Sequence, residues 1–413
     1  MLKVLSSSWA LLLGLMLLMV GNGLQGTLLG IRGGIEGFST FQMSIVMSAY
    51  FVGFLFGSRM TPVMIARVGH VRVFAALGTL ISAVLVLYAT LPDWVIWAVL
   101  RFIIGFCFCG VYVTAESWLN NTATNETRGQ ALSLYMIVQM VGIITAQGLV
   151  NMADPAGFVL FVIPSVLVSI AFLPILLTAS PAPSFANTKP LAISALYRIS
   201  PLGVVGIFLM GGVFSALFGM AAVWGVEAGL SVAEISGFVA AIYLGGLIFQ
   251  YPIGWLSDRM ERRKLVVIVA IGGTLAAFVP VLSDPSLTGL LLVGLVIGGV
   301  SNPLYSLLVA HTNDFLDNES MAAASGGLLF ANGVGAILGP LVIGWLMGWV
   351  GPDGFFMFIS ILTAILALYA FWRSTQRPSA RETGPFAPVS PNVSPATVGA
   401  IYDDLSKNAA EQK

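Results

Sequence analysis

The sequence predicts an all-α integral membrane protein of twelve transmembrane helices in two six-helix bundles, and three observations carry that reading. First, hydrophobic residues make up 58% of the 413, charged residues 9%, and mean hydropathy is +0.95. A soluble domain carries about a quarter charged residues, so this much apolar sequence must meet lipid as its solvent. Second, short polar breaks divide the chain at the spacing a membrane crossing needs, about 20 residues per helix. Third, the chain repeats itself. Gly105 and Gly298, Tyr112 and Tyr305, Asn120 and Asn313, Glu126 and Glu319, and Gly142 and Gly335 all lie 193 positions apart. One constant offset over five pairs marks two tandem copies of one unit.

Taken in order, the first copy predicts helices near 8–30, 41–64, 73–91, 94–119, 130–150 and 157–178. The second predicts them near 201–225, 236–256, 265–283, 287–311, 321–350 and 354–373. The breaks fall at Arg32–Thr40, Arg67–Arg72, Pro92-Asp93, Asn120–Gly129 and Asp154-Pro155, then at matching places in the second half. The first apolar run, after Lys3, reaches Leu29. It is too long for a signal-peptide core of roughly 7–15 residues and reads as the first span. The domains expected are therefore 1–179, a cytoplasmic linker at 180–200, a second bundle at 201–374, and a Pro-rich, then polar, tail at 375–413. Composition predicts that the tail is disordered.

Basic residues set the expected orientation. Lys3, Arg67, Arg72, Arg128, Lys189, Arg198, Arg259, Arg262, Arg263, Lys264, Arg373, Arg377 and Arg381 fall on one side, whereas the opposite loops hold only Arg32. That asymmetry predicts both termini in the cytoplasm. A formal net charge of zero argues against nucleic acid as a partner. The expected partners are a small-molecule substrate and the lipid bilayer, with no cofactor, no metal, and a monomer as the working unit. Cys107 and Cys109 sit on different faces of one apolar helix and read as packing residues. With His70 and His311 the only histidines and no paired carboxylates in the spans, no enzyme site is predicted.

Ionisable groups inside spans are costly and each needs a reason. Arg59 and Glu116 lie at similar depth in helices 2 and 4, which predicts an ion pair; the alternative is a Glu116 hydrated near the interface. Glu116 is also the best proton-carrier candidate, a role that a standing pair with Arg59 would oppose. Arg101, in the outer half of helix 4, either faces a polar cavity or snorkels outward. Asn22 and Gln25 are three apart on helix 1 and share a face between glycines. Amides suit a neutral, hydrogen-bonding solute, with interhelical hydrogen bonding as the competing role. In the second half Asn302 and Tyr305 repeat that spacing, and Tyr112 is the repeat partner of Tyr305. Asn332, Phe214, Phe218 and Trp224 add amide and aromatic surface, although aromatics at helical spacing are more often packing.

The densest run of charge is Gly254-Trp-Leu-Ser-Asp258-Arg259-Met-Glu-Arg262-Arg263-Lys264, between two apolar segments. Its first-half counterpart, Pro62–Arg72, places Arg67 under Arg259 and Arg72 under Lys264, with Ala66 where the acid Asp258 would fall. The plain reading is a solvated, topology-setting hairpin. Helix 11 carries Gly333, Gly335, Gly339 and Pro340, a closely packing and bendable run; its first-half counterpart has Gln147 where the proline would stand.

These residues resemble the major facilitator superfamily over 8–373. The 254–264 run is similar to that family's loop 8–9 motif, and 62–72 to a degenerate loop 2–3 copy. The resemblance implies two six-helix bundles, a central cavity lined mainly by helices 1, 4, 7 and 10, and a cytoplasmic gate at the motif residues Gly254, Asp258, Arg259, Arg262, Arg263, Arg67 and Arg72. Ala66 puts the usual charge relay of the first copy in doubt. Gly21-Asn-Gly-Leu-Gln-Gly-Thr27, Glu36-Gly-Phe38, Arg67–Phe74, Ala115-Glu-Ser-Trp-Leu-Asn120 and Gln250-Tyr-Pro-Ile-Gly254 further resemble the YcaD-like group and the bacterial riboflavin transporter-like proteins. That implies uptake of a small organic solute by alternating access, with riboflavin the sharpest expectation. The alternative is a proton-coupled drug or metabolite exporter; such exporters carry Gly-Pro on helix 5, where this chain has Gln147.

Overall fold

A computed structural model of the chain describes residues 2–122, 128–177, 190–376, 384, 386–389, 397–399 and 401–402. The described elements are helical. A helix satisfies its backbone hydrogen bonds internally, which a lipid-facing segment must do. The first six spans are α1 (Leu2–Ile35), α2 (Thr40–Val68), α3 (His70–Thr90), α4 (Trp94–Thr122), α5 (Arg128–Leu149) and α6 (Val159–Leu177). A short α7 (Ile193–Ile199) precedes α8 (Pro201–Ser215) and α9 (Ala221–Glu227), which a π-helical turn at Ala216–Met220 joins into one span. There follow α10 (Val232–Ser257), α11 (Arg262–Leu282), α12 (Leu287–Asn313), α13 (Asn318–Val350) and α14 (Asp353–Gln376). Among the described residues 11 helical stretches are long and apolar enough to cross a membrane; Val159–Pro174 is a shorter apolar stretch at the sixth predicted position.

Punctuation in the sequence explains the ends. Ser39 and Gln42 form a reciprocal capping box at the start of α2. Gly69, at φ 84°, makes the turn between α2 and α3 that a side chain would strain. Ser286 and Asp317 cap α12 and α13 with their side-chain oxygens.

The internal repeat has a physical basis in close helix crossings. A Cβ on Gly105 would stand 1.9 Å from the Tyr50 carbonyl oxygen, and one on Gly298 would stand 2.0 Å from that of Ile242. The reciprocal contacts match: Gly53 on Phe102 O and Gly245 on Leu295 O, both at 1.9 Å. Gly335 likewise lies on the Phe208 carbonyl, and its repeat partner Gly142 on that of Met16. Without a hydrophobic force between helices in lipid, such small-residue contacts are what hold spans together. The repeat offset therefore preserves backbone crossings.

Two compact units result, Met1–Asn187 with Phe218–Ala240, and Thr188–Leu217 with Ala241–Lys413. The break after Asn187 falls within the expected linker, and Phe218–Ala240 in addition joins the first unit. In the first unit α9 lies against α1, because Gly30 approaches Ala222 and Val223 and Gly34 approaches Val226 so closely that no Cβ would fit. Val20, Leu24, Ile31, Ala146, Val150, Ala222 and Ile235 form one buried apolar cluster there. The π turn adds one residue to the helical ladder at the place where the seventh span passes from one unit to the other.

The second unit includes described residues of the tail and of the linker. The described residues of the tail are not loose polar chain: Ala387 is 1%, Val389 2%, Val398 3% and Tyr402 4% exposed. The linker is also partly docked, with Leu191 N–H donating to Ala323 O at 2.8 Å and Pro190 seated on Gly326. Composition predicted disorder because the tail is poor in apolar residues. Among the described residues of the tail, Ala387, Val389, Val398 and Tyr402 are buried, and Phe386 and Ile401 are half-buried.

Candidate functional site

The first unit concentrates polar groups on α1, α2 and α4. Gln25 is fully enclosed and Arg101 is 4% exposed. Arg101 donates through Nη1 to Gln25 Oε1, lies 3.6 Å from Met47 Sδ through Nη2, and has its guanidinium carbon 4.8 Å from the Tyr50 ring centroid. A guanidinium over an aromatic face is held by the ring quadrupole as well as by hydrogen bonds. Arg101 therefore points inward and does not snorkel. Gln25 Nε2 lies near the buried Tyr88 hydroxyl, and neither has a well-formed hydrogen bond.

Asn22, three residues earlier, donates to Tyr112 Oη at 3.2 Å, and that hydroxyl in turn lies 3.4 Å from Met19 Sδ. Asn22 and Gln25 thus do share a face, as their spacing predicts, and both address α4. The face has room: a Cβ on Gly26, next to Gln25, would meet nothing within 4 Å. Gln147 meets a different side of α1, accepting from Thr27 Oγ1 at 2.9 Å and reaching Gly23 O at 3.4 Å. It ties α5 to α1.

Glu116 is completely enclosed on α4 and accepts from Tyr135 Oη of α5 at 2.7 Å. Arg59 occupies an exposed position on α2, so the two partners expected from their depth stand in different surroundings. Tyr135 was not foreseen; nothing in its sequence context marks it apart from other span aromatics. Removing its hydroxyl withdraws a donor from a buried carboxylate, which costs about 1–3 kcal/mol. Tyr135→Phe is therefore expected to lower the thermal midpoint of the purified protein, and combining it with Glu116→Gln should recover most of the loss.

In the second unit Asn302 and Tyr305 are 6% and 4% exposed on α12. Tyr305 packs edge-on against Phe214, ring centroids 5.8 Å apart. The Asn302 Nδ2 donor is buried against Gly246 and has no hydrogen-bond acceptor among the described residues. Asn332 instead donates to Ile207 O at 3.4 Å, bracing α13 on α8. Phe218 lies partly exposed in the π turn of the first unit, beside Gly219, which rests on Phe51. Trp224 is a packing residue, 4.9 Å from the Phe238 ring.

The charged motif resolves into residues with separate roles. Arg259 stacks on Trp255, 4.0 Å from its centroid, at an exposed position, and Arg67 and Arg72 are exposed on the first copy. Arg263 is paired with Glu261 at 2.7 Å. Arg262 is buried: it donates to Ser257 Oγ at 3.2 Å and pairs with Asp314, whose side chain is 3% exposed. Burial raises the Asp314 carboxyl above its ordinary value, while the Arg262 guanidinium and the Gly384 N–H pull it back. Sequence reasoning missed Asp314. The signal was available: an acid one residue past the end of α12, within reach of a basic loop.

Apolar spans in two repeated halves, each enclosing amides and phenols in a lipid-soluble protein, define a membrane carrier for a small solute. The sequence profile of the Major Facilitator Superfamily matches residues 11–246 and 204–405, and the chain belongs to that family. It is 27% identical over 376 residues to the MFS-type transporter YcaD of Salmonella arizonae, covering 89% of this chain and 96% of that one. The fold is similar to that of a variant of the nucleoside transporter NupG, with TM-score 0.78, 16% identity, and 88% and 99% of the two chains covered. It is also similar to a variant of the Escherichia coli fucose:proton symporter FucP, with TM-score 0.58, 17% identity, and coverage of 90% and 99%.

Proposed function

We propose that this carrier takes up a neutral, flat, hydrogen-bonding organic solute across the bacterial inner membrane by alternating access, with both termini in the cytoplasm, and that riboflavin is that solute. The observation that supports this most is the state of the enclosed amides. Gln25 Nε2 and Asn302 Nδ2 are buried donors without a well-formed acceptor. A buried donor left unsatisfied costs about 1–3 kcal/mol, so each half gains by meeting a ligand rich in carbonyl and ring-nitrogen acceptors. Arg101 donates to Gln25 and lies over Tyr50, so it orients the Gln25 amide. Tyr112 and Tyr305 supply aromatic faces beside the amides.

The exporter alternative is less well supported. Gln147 fastens α5 to α1 by two hydrogen bonds where an exporter of this family would carry a Gly-Pro step. Coupling to protons would fall to Glu116, the enclosed carboxylate on α4.

Binding to the purified full-length protein tests the substrate. Flavin fluorescence should be quenched saturably on titration, and an excess of unlabelled riboflavin analogue should compete while adenosine competes weakly. Quenching that is linear in protein, and equal with an unrelated membrane protein, would remove riboflavin and leave the carrier assignment standing.

A further inference from the structure

We propose that the C-terminal segment is a built-in plug that closes the Asp258 end of the second unit and must withdraw before the carrier opens there. Gly384, Phe386 and Val389 of the segment are held by the groups that form that end of the bundle. Gly384 N–H donates to Asp314 Oδ1 at 3.0 Å, and the Gly384 carbonyl accepts from Arg262. Phe386 N–H donates to Asp258 Oδ1 at 3.0 Å, and its ring lies so close to Gly254 that a Cβ there would stand 2.7 Å away. Three motif residues, Gly254, Asp258 and Arg262, thus all engage the tail.

The segment then reaches inward. Val389 N–H donates to Ser306 Oγ at 3.0 Å, and Ser306 Oγ donates back to Val389 O at 2.9 Å. Gln250 Nε2 completes the shell of that hydroxyl at 3.0 Å. Ser306 directly follows Tyr305 and is one helical turn from Asn302. Val389 therefore meets the same stretch of α12 that carries the second unit's candidate ligand groups. Further on, Val398 and Tyr402 are buried, Gly399 fits against Ala322 of α13, and the Tyr402 hydroxyl lies beside Asn313 and Ala387.

Two features distinguish a plug from a passively packed terminus. The contacts are mostly backbone to side chain, so they read an extended strand at a fixed depth. They also consume the charges of a motif that a gate must rearrange: Asp258 and Arg262 cannot exchange partners while Gly384 and Phe386 hold them. Solute leaving Asn302 and Tyr305 along α12 toward Asp314 would meet the Phe386–Val389 segment. Release of the tail is then an activation step.

The plug rests on the carrier reading for its meaning, but its test reads exposure alone and needs no substrate. Ser306→Cys is placed in the full chain, in a chain ending at Gln376, and in the full chain with Phe386→Ala. Each purified protein is treated with a water-soluble maleimide, and adducts are counted at position 306 by peptide mass spectrometry, so that buried Cys107 and Cys109 are not confused with it. The deletion and Phe386→Ala should each react at least ~10-fold faster than the full chain, the equivalent of about 1.4 kcal/mol of docking free energy. Equal rates in the full chain and in Phe386→Ala, with the latter monodisperse, overturn the proposal even if the deletion does not fold.

Discussion

Gly105→Ala and Gly298→Ala are each expected to cost the protein about 3 kcal/mol, because the added methyl has nowhere to go. The Cβ would lie 1.9 Å from Tyr50 O in the first case and 2.0 Å from Ile242 O in the second. Both obstacles are backbone, so no rotamer change relieves them, and the helices must separate. Overpacking of a tight site costs roughly 1–3 kcal/mol, and a shifted backbone crossing lies at the upper end of that range. For a unit of this size the thermal midpoint should fall by roughly 6–12 °C. Gly26→Ala is the control: its Cβ meets nothing within 4 Å, so its midpoint should barely move. Midpoints of the Gly105 and Gly298 variants within a degree or two of the parent would show that the crossings are looser than described.

The double substitution Asn22→Leu with Gln25→Leu is expected to reduce saturable solute uptake by about 10- to 100-fold, since two amide contacts at roughly 0.5–1.5 kcal/mol each are withdrawn. Gln25→Leu also frees the Arg101 guanidinium from its amide acceptor, and Asn22→Leu takes the donor from Tyr112. A change confined to the apparent affinity would mean that the amides bind ground state and translocation state alike. Uptake is compared at equal amounts of protein in the membrane. Normal uptake by the double variant would rule out α1 as part of the solute path.

Much of the fold was legible before any coordinates. Hydropathy alone locates the spans because lipid admits few alternatives to a helix, and the 193-residue offset revealed the duplication. Why that offset is kept became clear only in three dimensions, where paired glycines sit on paired carbonyls. The face shared by Asn22 and Gln25 was readable from spacing; their partners Tyr112 and Arg101 were not, since helix contacts between distant segments leave no mark in a single sequence. The π turn at 216–220 was invisible for a related reason. Its residues, Ala-Leu-Phe-Gly-Met, look like any other stretch of span, and what pulls Ala221–Glu227 toward the first unit is Gly30 and Gly34 on α1. Composition counts the apolar residues of the tail and cannot say where the described ones are seated. Ala387, Val389 and Tyr402 are buried, and Arg262, Asp258 and Ser306 bond the backbone of Gly384, Phe386 and Val389.

Uptake of labelled riboflavin by a riboflavin-requiring bacterial strain expressing this chain tests the central claim most directly. The account predicts saturable accumulation above an empty vector, suppressed by excess unlabelled riboflavin and strongly reduced in the Asn22→Leu, Gln25→Leu double variant. Repeating it with a protonophore tests coupling: suppression makes uptake proton-driven, and persistence makes the carrier facilitative. No accumulation above the vector, with the protein present in the membrane, would contradict riboflavin uptake.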